Sequence, residues 1–193
     1  MTNARKLITS DIHHSHNRIC EFTNRKLFTT QENHTRWLVD LWNNNATKSD
    51  LVYVLGDYSF STKYDPIADF TSKLNGQKII IKGNHDRREH LDQLVKDKLI
   101  AAWYDYKEIK LGTTSVCLFH FPVKHWHKQA HGSWHLHGHL HGAPSGLDGK
   151  ILDVGVDSAY NLYGEHKFFT EEDIAQFMKD RKNVESYHSS GTT

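Results

Sequence analysis

Residues Ile79-Ile80-Ile81-Lys82-Gly83-Asn84-His85-Asp86 run from a buried strand straight into a turn of chemically capable side chains. Three successive β-branched residues fit a strand enclosed on both faces. Gly83 lets the backbone turn sharply and come close to a ligand. Ligands of open α/β sheets sit beyond the carboxyl ends of the strands, and Asn84, His85 and Asp86 fall at such an end.

The same arrangement recurs upstream. The apolar run 51–55 leads into Gly56-Asp57, and a first strand over 6–10 delivers Asp11-Ile12-His13. Between these runs lie helix signals. Thr29 and Glu32 form a capping-box pattern ahead of Trp37, Leu38, Leu41 and Trp42 at helical spacing. Asp65-Pro66 supplies cap and first-turn signals ahead of Ile67, Phe70 and Leu74. A short helix is expected after His90, with Leu91, Leu94 and Val95 spaced for it.

Downstream the pattern turns to strands. Runs 104–111 and 115–121 flank Gly112-Thr113-Thr114, a hairpin signal, and the second ends at His120 before Pro122. Run 132–138 feeds His139-Leu140-His141, run 150–157 reads as a further strand, and Thr170 with Asp173 caps a last helix carrying Ile174, Phe177 and Met178. Strands alternate with helices first and dominate later. The expected fold is therefore α/β: two mixed β-sheets packed as a sandwich with flanking helices. A single domain over 1–182 and a polar tail over 183–193 are expected.

Bulk composition narrows the functional classes. The chain has 193 residues, 37% hydrophobic and 24% charged, which fits one folded domain rather than a disordered chain. No apolar run approaches a membrane span, so no membrane partner is expected. Cys20 and Cys117 are the only cysteines; they read as reduced core thiols, in keeping with a cytoplasmic protein. A net charge of +1 gives no global field to recruit nucleic acid. The 16 histidines favour metal chemistry, yet they also make chance His pairs common, so position at strand ends must discriminate.

Five strand ends carry metal-type side chains: Asp11 with His13, Asp57, Asn84 with His85, His120, and His139 with His141. Any one alone is an ordinary turn or polar residue. Five in one small chain point to a shared site. Carboxylate, amide oxygen and imidazole ligands suit manganese, iron, cobalt, nickel or zinc rather than calcium or a thiolate zinc site. Eight coordinating groups exceed the need of one ion, so two divalent ions sharing a carboxylate is the natural count. Paired metals roughly 3.5–4 Å apart clamp an in-line displacement at phosphorus.

In this order the motifs Asp11-x-His13, Gly56-Asp57, Gly83-Asn84-His85-Asp86, His120 and Gly138-His139-x-His141 resemble those of the calcineurin-like metallophosphoesterases. The resemblance spans residues 7 to about 157. The segments Ile8-Thr9-Ser10-Asp11-Ile12-His13, Asn24-Arg25-Lys26-Leu27-Phe28 and His131-Gly132-Ser133-Trp134-His135-Leu136-His137-Gly138-His139 are similar to the small bacterial and phage members. It implies the four-layer α-β-β-α fold of that family. It also implies one metal held by Asp11, His13, Asp57 and His141, and another by Asp57, Asn84, His120 and His139, with a bridging hydroxide as nucleophile. His85 would give a proton to the leaving group, and Asp86 would orient His85.

One position departs from the pattern. Many family phosphatases follow the Gly-Asp pair with a phosphate-gripping arginine, whereas this chain reads Gly56-Asp57-Tyr58-Ser59-Phe60. The grip is then expected from His16, Arg18, Arg25, Arg87 or Lys124, with His16 and Arg18 foremost, beside Asn84. The leading expectation is a two-metal phosphohydrolase acting on a nucleotide or small-molecule phosphoester, with manganese as the first candidate ion. A nuclease acting on DNA or RNA ends is the alternative; it would need a basic, aromatic-lined groove, which the near-neutral charge disfavours. A metal-poor binding scaffold is a third reading, although no ligand position is lost. None of these motifs speaks to oligomeric state.

Overall fold

The structure, a computed structural model, describes residues 4–16, 18–25 and 30–184. Each apolar run of the first half becomes a strand of one sheet: β1 (Lys6–Thr9), β2 (Leu51–Val54), β3 (Gln77–Ile81) and β4 (Ala102–Tyr104), in that spatial order and all parallel. Parallel neighbours need crossovers. Here the crossovers carry α1 (Ile19–Phe22), α2 (Gln31–Asn45), α3 (Tyr64–Ser72) and α4 (Arg88–Lys96). The second sheet is β5 (Tyr106–Leu111), β6 (Thr114–Phe119), β7 (Trp134–His137) and β8 (Ile151–Asp153). It is mixed, with β5 and β6 antiparallel and the rest parallel. Helices α5 (Val156–Tyr163) and α6 (Glu171–Met178) follow. The result is the expected α/β sandwich, although its first sheet is wholly parallel.

Alternating side chains build two cores. Leu7, Val52, Val54 and Ile80 pack outward with Leu38, Trp42, Ile67, Phe70, Leu91 and Leu94 of the helices. Ile8, Tyr53, Leu55 and Ile81 face inward against Val116, Leu118, Leu136 and Leu152 of the second sheet. A one-residue slip of β3 would exchange these layers. With about 1.5–3 kcal/mol at stake for each large apolar side chain buried, the register is strongly fixed. The same register places the carboxyl ends of β1, β2 and β3 in line.

Several element boundaries differ from expectation. Thr29 lies outside the described residues; Thr30 caps α2, its side chain accepting from Asn33 N at 3.2 Å. Helix α3 starts at Tyr64 behind Lys63, so Asp65 and Pro66 sit inside its first turn, and no side chain caps it. Run 104–111 is two strands in different sheets, switched at Asp105, because uninterrupted strand-like composition hides a crossover one residue long. Run 150–157 is strand only to Asp153; extended Gly155 then caps α5, and Val156, Asp157 and Ser158 are buried helical residues. Thr170 and Asp173 do form a reciprocal capping box at α6. Of the tail over 183–193, residues beyond 184 lie outside the described part.

Candidate metal centre

Asp11 follows β1, Asp57 follows β2, Asn84 and His85 follow β3, His120 follows β6, and His139 and His141 follow β7. The sandwich brings these ends together on one rim. Asp11, His13 and His141 present ligand atoms within 4.8 Å of one another, and so do Asp57, His120 and His139. Asp57, a member of the second group, also reaches the first: its Oδ2 is 3.5 Å from His13 Nε2, while its Oδ1 is 3.5 Å from His120 Nε2. Asn84 Oδ1 is 2.9 Å from His120 Nε2. Two clusters of Asp and His that can hold metal ions are therefore present, side by side.

The backbone is strained where these groups project. Among the described residues, eight other than glycine have positive φ, and five of them are Asp11, His13, Asp57, His139 and His141. Left-handed conformations at such residues cost roughly 1–2 kcal/mol each. Tight glycine contacts lock the loops around them. A Cβ on Gly138 would collide with Ser10 Oγ and Asp11 Oδ2, and one on Gly83 would overlap Asp57. Both glycines are needed for close approach.

Donor chemistry fits cations. His13 Nε2 is buried without a hydrogen-bond partner, while its Nδ1 meets His16 Nδ1 at 3.1 Å. His120 Nδ1 lies 2.7 Å from the Leu55 carbonyl and donates to it. Its Nε2 is thereby left facing two oxygens, a position suited to a cation. His141 Nδ1 lies 2.8 Å from Asp157 Oδ2, which likewise frees Nε2. Burial pushes the Asp11 acid up to about 7, with Asp153 adding to the effect. Burial alone would raise Asp57 too, yet the His120 bond holds it below the ordinary carboxylate range. Burial opposes charge on His120 and His141, but Asp57 and Asp157 raise them respectively. Burial lowers His13 and His139. Carboxylates confined with imidazoles in this way are what a divalent ion stabilises.

The remaining expected residues divide. His85 lies at the mouth, its Nε2 3.8 Å from Asp57 Oδ2 and its backbone N–H donating to Asp57 Oδ1 at 3.0 Å. His16 lies beside His13 and stacks on Phe60 at 4.1 Å. Asp86 does not hold the His85 ring. Its carboxylate accepts from Tyr58 N at 2.9 Å, Ser59 N at 3.3 Å and Gly83 N at 2.9 Å, tying the loops after β2 and β3 together.

Arg18 pairs with Glu21 at 3.2 Å and is 68% exposed, since the two sit one helical turn apart at the surface. Arg87 pairs with Glu89 and Lys124 is exposed. Arg25 is buried under the site, bound to Asp157 and to the carbonyls of Asp11 and Ile12, so its guanidinium has no free face for a phosphate. Tyr58, which follows Asp57 in sequence, is a core residue bonded to Thr71 at 2.9 Å. Asp153 and Asp157 were hidden within run 150–157; a pair of acids closing an apolar run was their one sequence signal. A surface depression of about 750 Å³ lined by Thr30, Arg36, Val39 and Lys73 shares no residue with this rim, so side-chain chemistry rather than concavity locates the site.

No family model matches the chain. The Gene 66 protein of Mycobacterium phage L5 is 27% identical over 205 residues, 91% of this chain and 96% of the phage protein. An uncharacterized protein of Methanocaldococcus jannaschii is 28% identical over 142 residues, 73% of this chain and 72% of that protein. Among solved structures, a protein of unknown function from Aquifex aeolicus aligns with a TM-score of 0.67 at 21% identity, over 91% of this chain and all of that one. That likeness shows a shared fold. The Escherichia coli phosphoesterase Yfce aligns at a TM-score of 0.42 and 16% identity over 76% of this chain and 75% of its own, too remote to bear on function. Among the described residues, no helix is long and apolar enough to cross a membrane.

Proposed function

We propose that this protein is a phosphohydrolase dependent on two divalent cations, cleaving a nucleotide or small-molecule phosphoester. The supporting observation is the pair of Asp/His groups on one rim, with the Asp57 carboxylate of one group also facing His13 of the other. In this reading Asp11, His13 and His141 hold one ion, His120, His139 and Asn84 hold the other, and Asp57 serves both. Bound there, paired divalent ions supply an activated water-derived nucleophile and offset charge on the phosphoryl oxygens. Manganese ranks first because imidazole-rich sites favour softer ions than magnesium.

The chain's own side chains do the rest. His85, partly exposed at the mouth, hands a proton to the departing alkoxide and stabilises its charge. Its backbone N–H, donating to Asp57 Oδ1, fixes that loop relative to the shared carboxylate. His16 and Asn84 are the substrate-contacting groups in this reading, since Arg18, Arg25 and Arg87 are paired with acids elsewhere. Asp86 keeps His85 in place through the loop backbone rather than through the ring.

Hydrolysis of bis-p-nitrophenyl phosphate by protein stripped with EDTA and then given Mn²⁺ tests this reading. Activity restored by Mn²⁺ is expected; none with any of Mn²⁺, Fe²⁺, Co²⁺, Ni²⁺ or Zn²⁺ on mono- and diesters would refute it. Labelled oligonucleotides in the same assay separate a nuclease from a small-substrate enzyme.

A further inference from the structure

A buried ion pair sits beneath one of the two Asp/His groups and not the other. Arg25 and Asp157 have side chains 0% and 2% exposed, 2.9 Å apart. Arg25 Nε donates to Asp157 Oδ1 and Nη2 to Oδ2, both at 2.9 Å, a two-pronged pairing. The same guanidinium donates from Nη1 to the Ile12 carbonyl at 2.9 Å and from Nη2 to the Asp11 carbonyl at 2.6 Å. Asp157 Oδ2 also accepts from His141 Nδ1 at 2.8 Å.

Desolvation makes a buried pair a poor source of net stability, so stability alone does not account for it. Its contacts are selective. Arg25 clamps the backbone between Asp11 and His13, both held at positive φ. Asp157 fixes the ring of His141 and forces its proton onto Nδ1, leaving the Nε2 lone pair for a ligand. Asp11, His13 and His141 are the whole of one group. Among the described residues no hydrogen bond joins Arg25 or Asp157 directly to Asp57, His120 or His139; the Leu55 carbonyl supports His120, the His85 amide supports Asp57, and the His139 N–H donates to the Asp11 carboxylate.

We infer that Arg25 and Asp157 are positioning residues for the Asp11/His13/His141 cation site, setting its affinity far more than that of its neighbour. The inference rests on the two-cation reading above. Its consequence is that the two ions can be distinguished: weakening the pair lowers the affinity for one ion far more than for the other.

Calorimetric titration with Mn²⁺, anomalous scattering from Mn²⁺-soaked crystals and ¹⁵N NMR of the histidine rings test it, on wild type, Asp157→Asn and Arg25→Lys. In wild type, two ions bind and the His141 ring carries its proton on Nδ1. In either variant, affinity at the Asp11/His13/His141 site is expected to fall about 10–100-fold, while the other site changes less than about twofold. In Asp157→Asn the His141 ring is also expected to lose its single tautomer. Equal weakening of both sites, or of neither, would overturn the inference while leaving the two-cation reading intact. A wild type that binds no Mn²⁺ would instead defeat that reading, and the inference with it. Should Asp157→Asn fail to fold, Arg25→Lys keeps the charges and carries the same test. A wild-type His141 protonated on Nε2 overturns the inference with no variant needed.

Discussion

Stripping divalent ions should make this protein's stability fall as pH rises, with Asp11 the cause. Its carboxyl is fully buried and pushed up to about 7, against an ordinary 3.8, by burial first and by Asp153 second. The folded form therefore holds this proton more tightly than the unfolded chain does. Its stabilising contribution is complete below about pH 4 and lost as pH rises through about 7. A shift of about three pH units at about 1.4 kcal/mol each gives a ceiling of ~4 kcal/mol, shared with Asp153. The Asp11→Asn variant keeps an oxygen to accept the His139 N–H, a bond of 3.0 Å in the native chain, but cannot ionise. Urea unfolding in EDTA at pH 5 and pH 8, for both proteins, isolates this group from other titrations. The variant should gain on wild type by up to about 2.7 kcal/mol between the two pH values, because only the two pH units from 5 to about 7 fall inside the assay, and Mn²⁺ should erase the gain. A difference between the proteins that does not change with pH would refute the reasoning.

Three other substitutions probe separate parts of the rim. His85→Ala should keep both ions by metal analysis while turnover falls about 10²–10⁴-fold; loss of metal would contradict its placement as a proton donor outside the ligand set. Asp57→Ala should abolish binding of both ions in calorimetric titration, because its two oxygens face the two groups; two tightly bound ions in the variant would exclude the shared carboxylate. Asp86→Ala leaves three backbone N–H groups without their acceptor. It should cost about 1–3 kcal/mol in denaturant unfolding, and also lower turnover by misplacing His85; full activity at reduced stability would limit Asp86 to the fold.

The Asp/His groups were legible in the sequence because each follows an apolar β-type run, and the parallel order of β1, β2 and β3 carries such ends to one side. What was hidden depends on direction rather than type. Asp86 adjoins His85 in sequence, yet its side chain turns back to the backbone of Tyr58 and Ser59. Arg18 closely follows Asp11 and His13 but is satisfied by Glu21 one helical turn on. Arg25 looked like an anion-binding side chain, and its partner Asp157, 132 positions away, gave no local signal. The Asp105 switch between sheets and the strand-to-helix change at Gly155 escaped for a related reason. Both lie within continuous apolar or β-type stretches, where periodicity does not mark which layer a residue enters.

Anomalous diffraction from a Mn²⁺-loaded crystal tests directly whether the five strand ends enclose two cations around Asp57. Two peaks are predicted, one against Asp11, His13 and His141 and one against His120 and His139, with Asp57 touching both. A rim without a peak, or a single peak without Asp57 among its ligands, would contradict it.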